Sequence, residues 1–133
     1  MGPEVDAASF RARGKEGVVV QTVSDSVPKN EHLYELLAAQ TLTAAKSREL
    51  LGRKPEVDLL LRVAGTTQIS EALARVGVRP GSPFVLVVCG TRALPKKLLD
   101  RCEKEGERLP RRTLTARDLS MVEDAALLSA EKG

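Results

Sequence analysis

The chain is short of the residues that stack on bases or carry out chemistry: 133 residues include no tryptophan, one tyrosine, two phenylalanines and one histidine. Domains that read RNA on an open sheet set exposed aromatics in pairs or triplets, and Phe10, Tyr34 and Phe84 are too few for that mode. Nucleophilic catalysis needs a base beside a nucleophile, and His32 is the sole imidazole. It follows Asn30 at a helix start, where the partial positive charge disfavours a protonated ring, so it reads as a neutral, partly exposed side chain. Cys89 and Cys102 lack Cys-x-x-Cys spacing and read as buried, reduced thiols, one in a strand and one in a helix. No apolar run approaches the roughly 20 residues of a bilayer span, and residues 1–10 lack the apolar centre of a signal peptide. The expectation is a cytoplasmic protein with no membrane partner.

Two motifs fail on inspection. Gly14-Lys15-Glu16-Gly17 lacks the spacing of a phosphate loop and precedes a strand where a helix should follow. Glu56 and Asp58 stand two apart with no further metal ligand nearby, as at a solvated strand entrance. No enzyme, cofactor, metal or small-molecule substrate is expected. Charged residues make up 29% of the chain with a formal net charge of +3, which permits a nucleic-acid partner without requiring one. Residues 1–66 hold nine basic and nine acidic side chains, and residues 67–133 hold twelve and nine.

The length suits one domain. Residues 1–17 are polar and form an N-terminal arm or edge segment; residues 18–133 form the domain. The β-branched run Val18 to Val23 predicts a strand ended by Asp25, Ser26 and Pro28. Asn30 then caps an Ala-rich helix with Leu33, Leu36, Leu37, Ala44 and Leu51 at three- and four-residue spacing, ending at Gly52. After Pro55, the apolar run Val57 to Gly65 predicts an interior strand. A compact helix from Gln68 to Val76 follows, capped by Thr66 or Thr67, with Glu71 in its first turn and Gly77 closing it. Phe84 to Cys89 predicts the strand most deeply buried on both faces. A helix from Pro95 to Gly106, a short strand at Arg111 to Leu114, and a final helix capped by Thr115 complete the chain. The fold class is α+β: a single compact domain with a mixed sheet of about four strands packed with about four helices.

Ile69-Ser70-Glu71-Ala72-Leu73, followed by Gly77 and Val78, lies between the apolar run through Leu59 to Leu61 and the run through Val85 to Val88, and after an Ala-rich helix. In this setting the chain resembles the Cgi-type family, the smallest widely distributed subunit of the KEOPS complex. The resemblance runs from Val18 to Val88, with weaker agreement to Leu128. The chain lacks the insertions and long tail of animal relatives, as an archaeal member would. The resemblance implies a non-catalytic accessory role in making threonylcarbamoyladenosine on tRNA. It implies two partners: the amino-terminal lobe of the complex's Bud-type atypical protein kinase, and the single-stranded 3′ CCA end of tRNA.

For RNA, the turn Gly65, Thr67 and Gln68 at a helix start is a candidate site for a phosphate or terminal ribose. Gly65 permits close backbone approach, Gln68 offers donor and acceptor to a base edge, and Ile69 offers an apolar surface. Lys46, Arg48, Arg53, Lys54, Arg62 and Arg75 are candidate phosphate contacts. Leu73 is expected to be structural. For the kinase, Leu119, Met121, Val122 and Leu127 of the final helix are candidate anchors, competing with a role in the chain's own core. The alternative reading is a purely structural kinase-binding subunit without RNA contact.

Overall fold

The computed structural model describes residues 17–91 and 93–132. The expected arm, apart from Gly17, lies outside them. Two strands, β1 (Val18–Ser24) and β2 (Phe84–Gly90), pair antiparallel with Val18 opposite Gly90 and Ser24 opposite Phe84. Between them come α1 (Glu31–Lys46), α2 (Pro55–Ala64) and α3 (Ile69–Val76); after them come α4 (Lys96–Glu105) and α5 (Ala116–Lys132). The described residues thus form one small α+β domain of five helices and a two-stranded sheet.

The alternation of side chains along a strand builds two cores. Val19, Val23, Val85 and Val87 pack with Leu33, Leu37, Leu59, Leu61, Ala125 and Leu128 from α1, α2 and α5. Val18, Val20 and Phe84 face the other way, onto Leu98 of α4, with Leu94 and Cys102 alongside. The sheet is therefore covered on both faces. β1 is the more deeply buried strand; Leu86, Val88 and Cys89 of β2 are only half-buried, contrary to the sequence expectation.

Two expected strands are absent. Val57 to Gly65 is helix, and six consecutive residues from Asp58 to Val63 are buried because α2 contacts α1, α3, α5 and β1. A helix enclosed on all sides loses its polar face, so its sequence reads as a continuous apolar run. Its ends carry helix signals: Pro55 in the first turn, and Gly65 in the left-handed conformation at φ 74°, its N–H on the Leu61 carbonyl at 2.8 Å. Arg111 to Leu114 is irregular chain. The Arg112 N–H donates to Asn30 Oδ1 at 3.0 Å, and Glu31 N donates to the Pro110 carbonyl at 2.9 Å, so this segment pairs with a helix start instead of a strand.

Two of the helix caps read from sequence, Asn30 and Thr115, are present. Asn30 Oδ1 accepts from the His32 N–H at 3.1 Å. Thr115 and Asp118 cap α5 reciprocally: the Asp118 N–H donates to Thr115 Oγ1 at 3.1 Å and the Thr115 N–H to Asp118 Oδ2 at 3.0 Å. Asn30 Nδ2 also reaches Asp118 Oδ2 at 3.3 Å, which ties the beginnings of α1 and α5 together. α1 ends at Lys46, before Gly52, where Arg48 turns the chain with φ 60°.

Candidate functional site

The residues proposed for RNA separate into three environments. Arg62 is in the interior, 4% exposed. Its Nε and Nη2 donate to Asp58 Oδ1 and Oδ2 at 2.6 and 3.2 Å, and its Nη1 donates to the Ala125 carbonyl at 3.0 Å. Asp58 also accepts from Thr41 Oγ1 at 2.6 Å and from the Leu51 N–H at 3.0 Å. A buried charge survives only when its hydrogen-bonding capacity is filled this fully, and no phosphate reaches this guanidinium. Arg62 is therefore removed from the RNA-facing set.

Lys46, Arg48, Arg53 and Lys54 are exposed and lie between the end of α1 and the start of α2. The turn Gly65, Thr67, Gln68 and Ile69 lies at the other end of α2, about 15 Å away at 1.5 Å per residue. Because α2 is buried between these ends, the two groups are separate patches.

At the second patch the local bonds are specific. Neither threonine caps α3, whose N-cap position is Gln68 with no side-chain cap; Thr66 Oγ1 instead accepts from the Gln68 N–H at 3.1 Å in the preceding turn and donates to Glu71 Oε2 at 2.6 Å. The Glu71 carboxylate thus already complements the positive end of α3, which weakens that end as a phosphate site. Arg75 Nη1 donates to the Ala64 carbonyl at 3.0 Å and so caps the C-terminus of α2, with half its side chain left in solvent. A Cβ added at Gly65 would meet nothing within 4 Å, so its positive φ, rather than close approach of another protein group, explains the glycine.

Only Ala72 and Val76 of α3 are buried. Ile69 and Leu73, one turn apart, are 52% and 54% exposed. Leu73 was expected in the core; it sits one position past Ala72, about 100° around the helix, and turns outward. Beside it a cleft of about 290 Å³ opens where β1, α2 and the end of α3 meet, with Arg79 at its lining. Leu73 and Arg79 are the residues the sequence reading missed, and the narrow Ala72/Val76 stripe was the available signal.

On α5, Leu119 and Leu127 are 48% and 63% exposed, whereas Met121 and Val122 are half-buried and packed on the core. The Val122 carbonyl accepts from Gln40 Nε2 at 3.1 Å. The four candidate anchors thus divide into two outward and two inward residues.

Two ion pairs tie the segment before α5 to α1: Arg108 with Glu31, and Arg111 with Glu35 at 2.7 Å. The Arg108 hydrogen bond holds the Glu31 carboxyl below its ordinary value. Both cysteines are free thiols and half-buried. They pack on opposite faces of the sheet, and burial pushes the Cys89 thiol up to about 11, so it is protonated at neutral pH. Among the described residues no group of three or more His, Cys, Asp or Glu side chains is arranged to hold a metal ion, and no helix is long and apolar enough to cross a membrane.

No protein-family model matches the chain, and no curated protein matches it.

Proposed function

We propose that this chain is a non-catalytic adaptor of the cytoplasm that holds a Bud-type atypical kinase through α5 and captures the single-stranded 3′ CCA end of tRNA through α3, in the service of threonylcarbamoyladenosine synthesis. The observation that carries this reading is the presence of two exposed apolar pairs on different helices: Ile69 with Leu73, and Leu119 with Leu127. Large apolar side chains left half in water mark partner surfaces when they cluster, as Ile69 and Leu73 do one turn apart; Leu119 and Leu127 stand about 12 Å apart along α5. The α3 pair adjoins the cations Arg75 and Arg79, which suits a phosphodiester chain with unstacked bases. The α5 pair spans two turns of an amphipathic helix, a form suited to a protein groove. The resemblance of Ile69 to Leu73 and Gly77 to the Cgi-type family supplies the identity of the partners.

The purely structural reading, kinase binding without RNA, is favoured by two observations: Arg62 is internal and Glu71 occupies the start of α3, so the basic surface is smaller than the sequence suggests. Co-expression with the kinase followed by size-exclusion chromatography tests the protein contact. Wild type should co-elute with the kinase and Leu127→Arg should not, with unchanged helicity. Co-elution of the variant would move the docking face elsewhere.

A further inference from the structure

The two edges of the sheet differ. Thr91 N donates to the Gly17 carbonyl at 3.1 Å, and these residues continue the register in which Val18 faces Gly90. Antiparallel alternation then directs the odd-numbered backbone groups of both strands into the ladder and the even-numbered ones outward. The outer edge of β1 is closed: Val18, Val20 and Thr22 are at most 8% exposed, and Gln21 Oε1 takes the Thr22 N–H at 2.8 Å. That side chain is itself fixed, since Gln21 Nε2 donates to the Glu56 carbonyl at 2.8 Å. The outer edge of β2 is open. Leu86 and Val88 are half-buried, and among the described residues no group bonds to the outward N–H and C=O of either.

Proteins ordinarily protect such an edge with a lysine, a proline or a bulge. β2 has none of these. From Gly81 to Thr91 eleven consecutive residues are uncharged in a chain of which 29% is charged, the one proline of that run, Pro83, precedes the strand, and all seven residues of β2 pair with β1 without interruption. An edge left bare in this way is a surface for another strand. Its composition also selects the strand. A charged edge would set like charges opposite each other on meeting its own copy, whereas Phe84 to Gly90 opposes only uncharged, mostly apolar residues.

We propose that β2 pairs with β2 of a second copy of this chain, antiparallel about a two-fold axis at Val87, so that the two-stranded sheets join into one of four strands in the order β1-β2-β2-β1. Val87 is the midpoint of the strand, and its own N–H and C=O belong to the ladder with β1. The axis there places Leu86 opposite Val88 of the second copy and Val88 opposite its Leu86. Outward groups thus meet outward groups, and each of these pairs exchanges both of its hydrogen bonds. Leu86 and Val88, which pack towards α4, also meet side chain to side chain on that face. The outer edges of the joined sheet are those of β1, which are closed, so assembly stops at two copies. Only an edge is joined, so the interface is small and the dimer depends on concentration.

The test is sedimentation equilibrium of the full chain from micromolar to millimolar concentration, with residue-resolved amide exchange at both ends of that range. The mass should rise from monomer to dimer and no further. The Leu86 and Val88 amides should gain protection as it does, while those of Val85 and Val87, already in the ladder with β1, stay protected throughout. Val88→Pro removes an outward N–H and leaves the bonds to β1 in place. It should weaken dimerisation about twenty-five-fold, one hydrogen bond in each copy at about fivefold apiece, with helicity kept. Leu86→Lys, which puts a charge on the edge without altering the backbone, should also shift the protein to monomer. A dimer undiminished in both variants, or protection of Leu86 and Val88 that ignores concentration, would overturn the proposal. So would a monomer at every concentration, which would leave the edge to an extended peptide of another protein.

Discussion

Arg62 and Asp58, one helical turn apart on α2, form an ion pair inside the core with side chains 4% and 0% exposed. The pair joins four parts of the fold: Thr41 of α1, the N–H of Leu51 in the following loop, α2 itself, and the Ala125 carbonyl of α5. Removing one partner strands the other. Asp58→Ala is expected to destabilise the domain by about 3–5 kcal/mol, read from urea unfolding. Asp58→Leu combined with Arg62→Met should recover part of that loss, with the Thr41 hydroxyl and Leu51 N–H still unmatched. Recovery absent from the double variant would show that packing, not charge, dominates the site.

Asp118 links the beginnings of α1 and α5. Its carboxyl is held below the ordinary 3.8, first by the Thr115 backbone N–H and then by the Asn30 and Thr115 side chains, against the opposing effect of burial. A folded pKa below the unfolded one gives stability that is present above the unfolded value and lost as pH falls through the folded one. The unfolding midpoint should therefore drop below pH 4, and Asp118→Asn should flatten that dependence. At neutral pH Asp118→Ala should cost about 1–2 kcal/mol as a lost cap.

Gly65 tests whether its turn is shaped for α2 or for a ligand. Gly65→Ala forces a left-handed conformation on a residue with a Cβ, at about 1 kcal/mol. Because open space surrounds that Cβ, RNA affinity should be unchanged once the folded fraction is allowed for. A loss of affinity larger than the loss of stability would make Gly65 a contact residue.

Leu73→Glu and Ile69→Glu should leave unfolding within about 0.5 kcal/mol of wild type, since both side chains are half in solvent. Each should weaken RNA binding, by removing apolar contact and adding repulsion with phosphates. Unfolding of Leu73→Glu would restore this residue to the core, where sequence alone had placed it.

Sequence disclosed the punctuation of this fold more fully than its interior. Asn30, Thr115 and Gly77 mark boundaries because caps and helix ends depend on local chain geometry, whereas Gly65 was read as the end of a strand. α2 was misread because burial on every side removes the periodicity that distinguishes helix from strand. The i,i+4 spacing of Asp58 and Arg62 was the readable counter-signal, since these residues lie on one helical face but would be spread along a strand. Burial of Arg62 and exposure of Leu73 depend on how α3 and α5 pack on α2, which a single sequence does not encode locally.

The adaptor reading is tested most directly by titrating the full chain with intact tRNA and with the same tRNA shorn of its 3′ CCA. The account predicts binding to the intact form alone, with log affinity falling against log salt by about 0.7 per neutralised phosphate. Equal affinity for the two forms, or none for either, would contradict it.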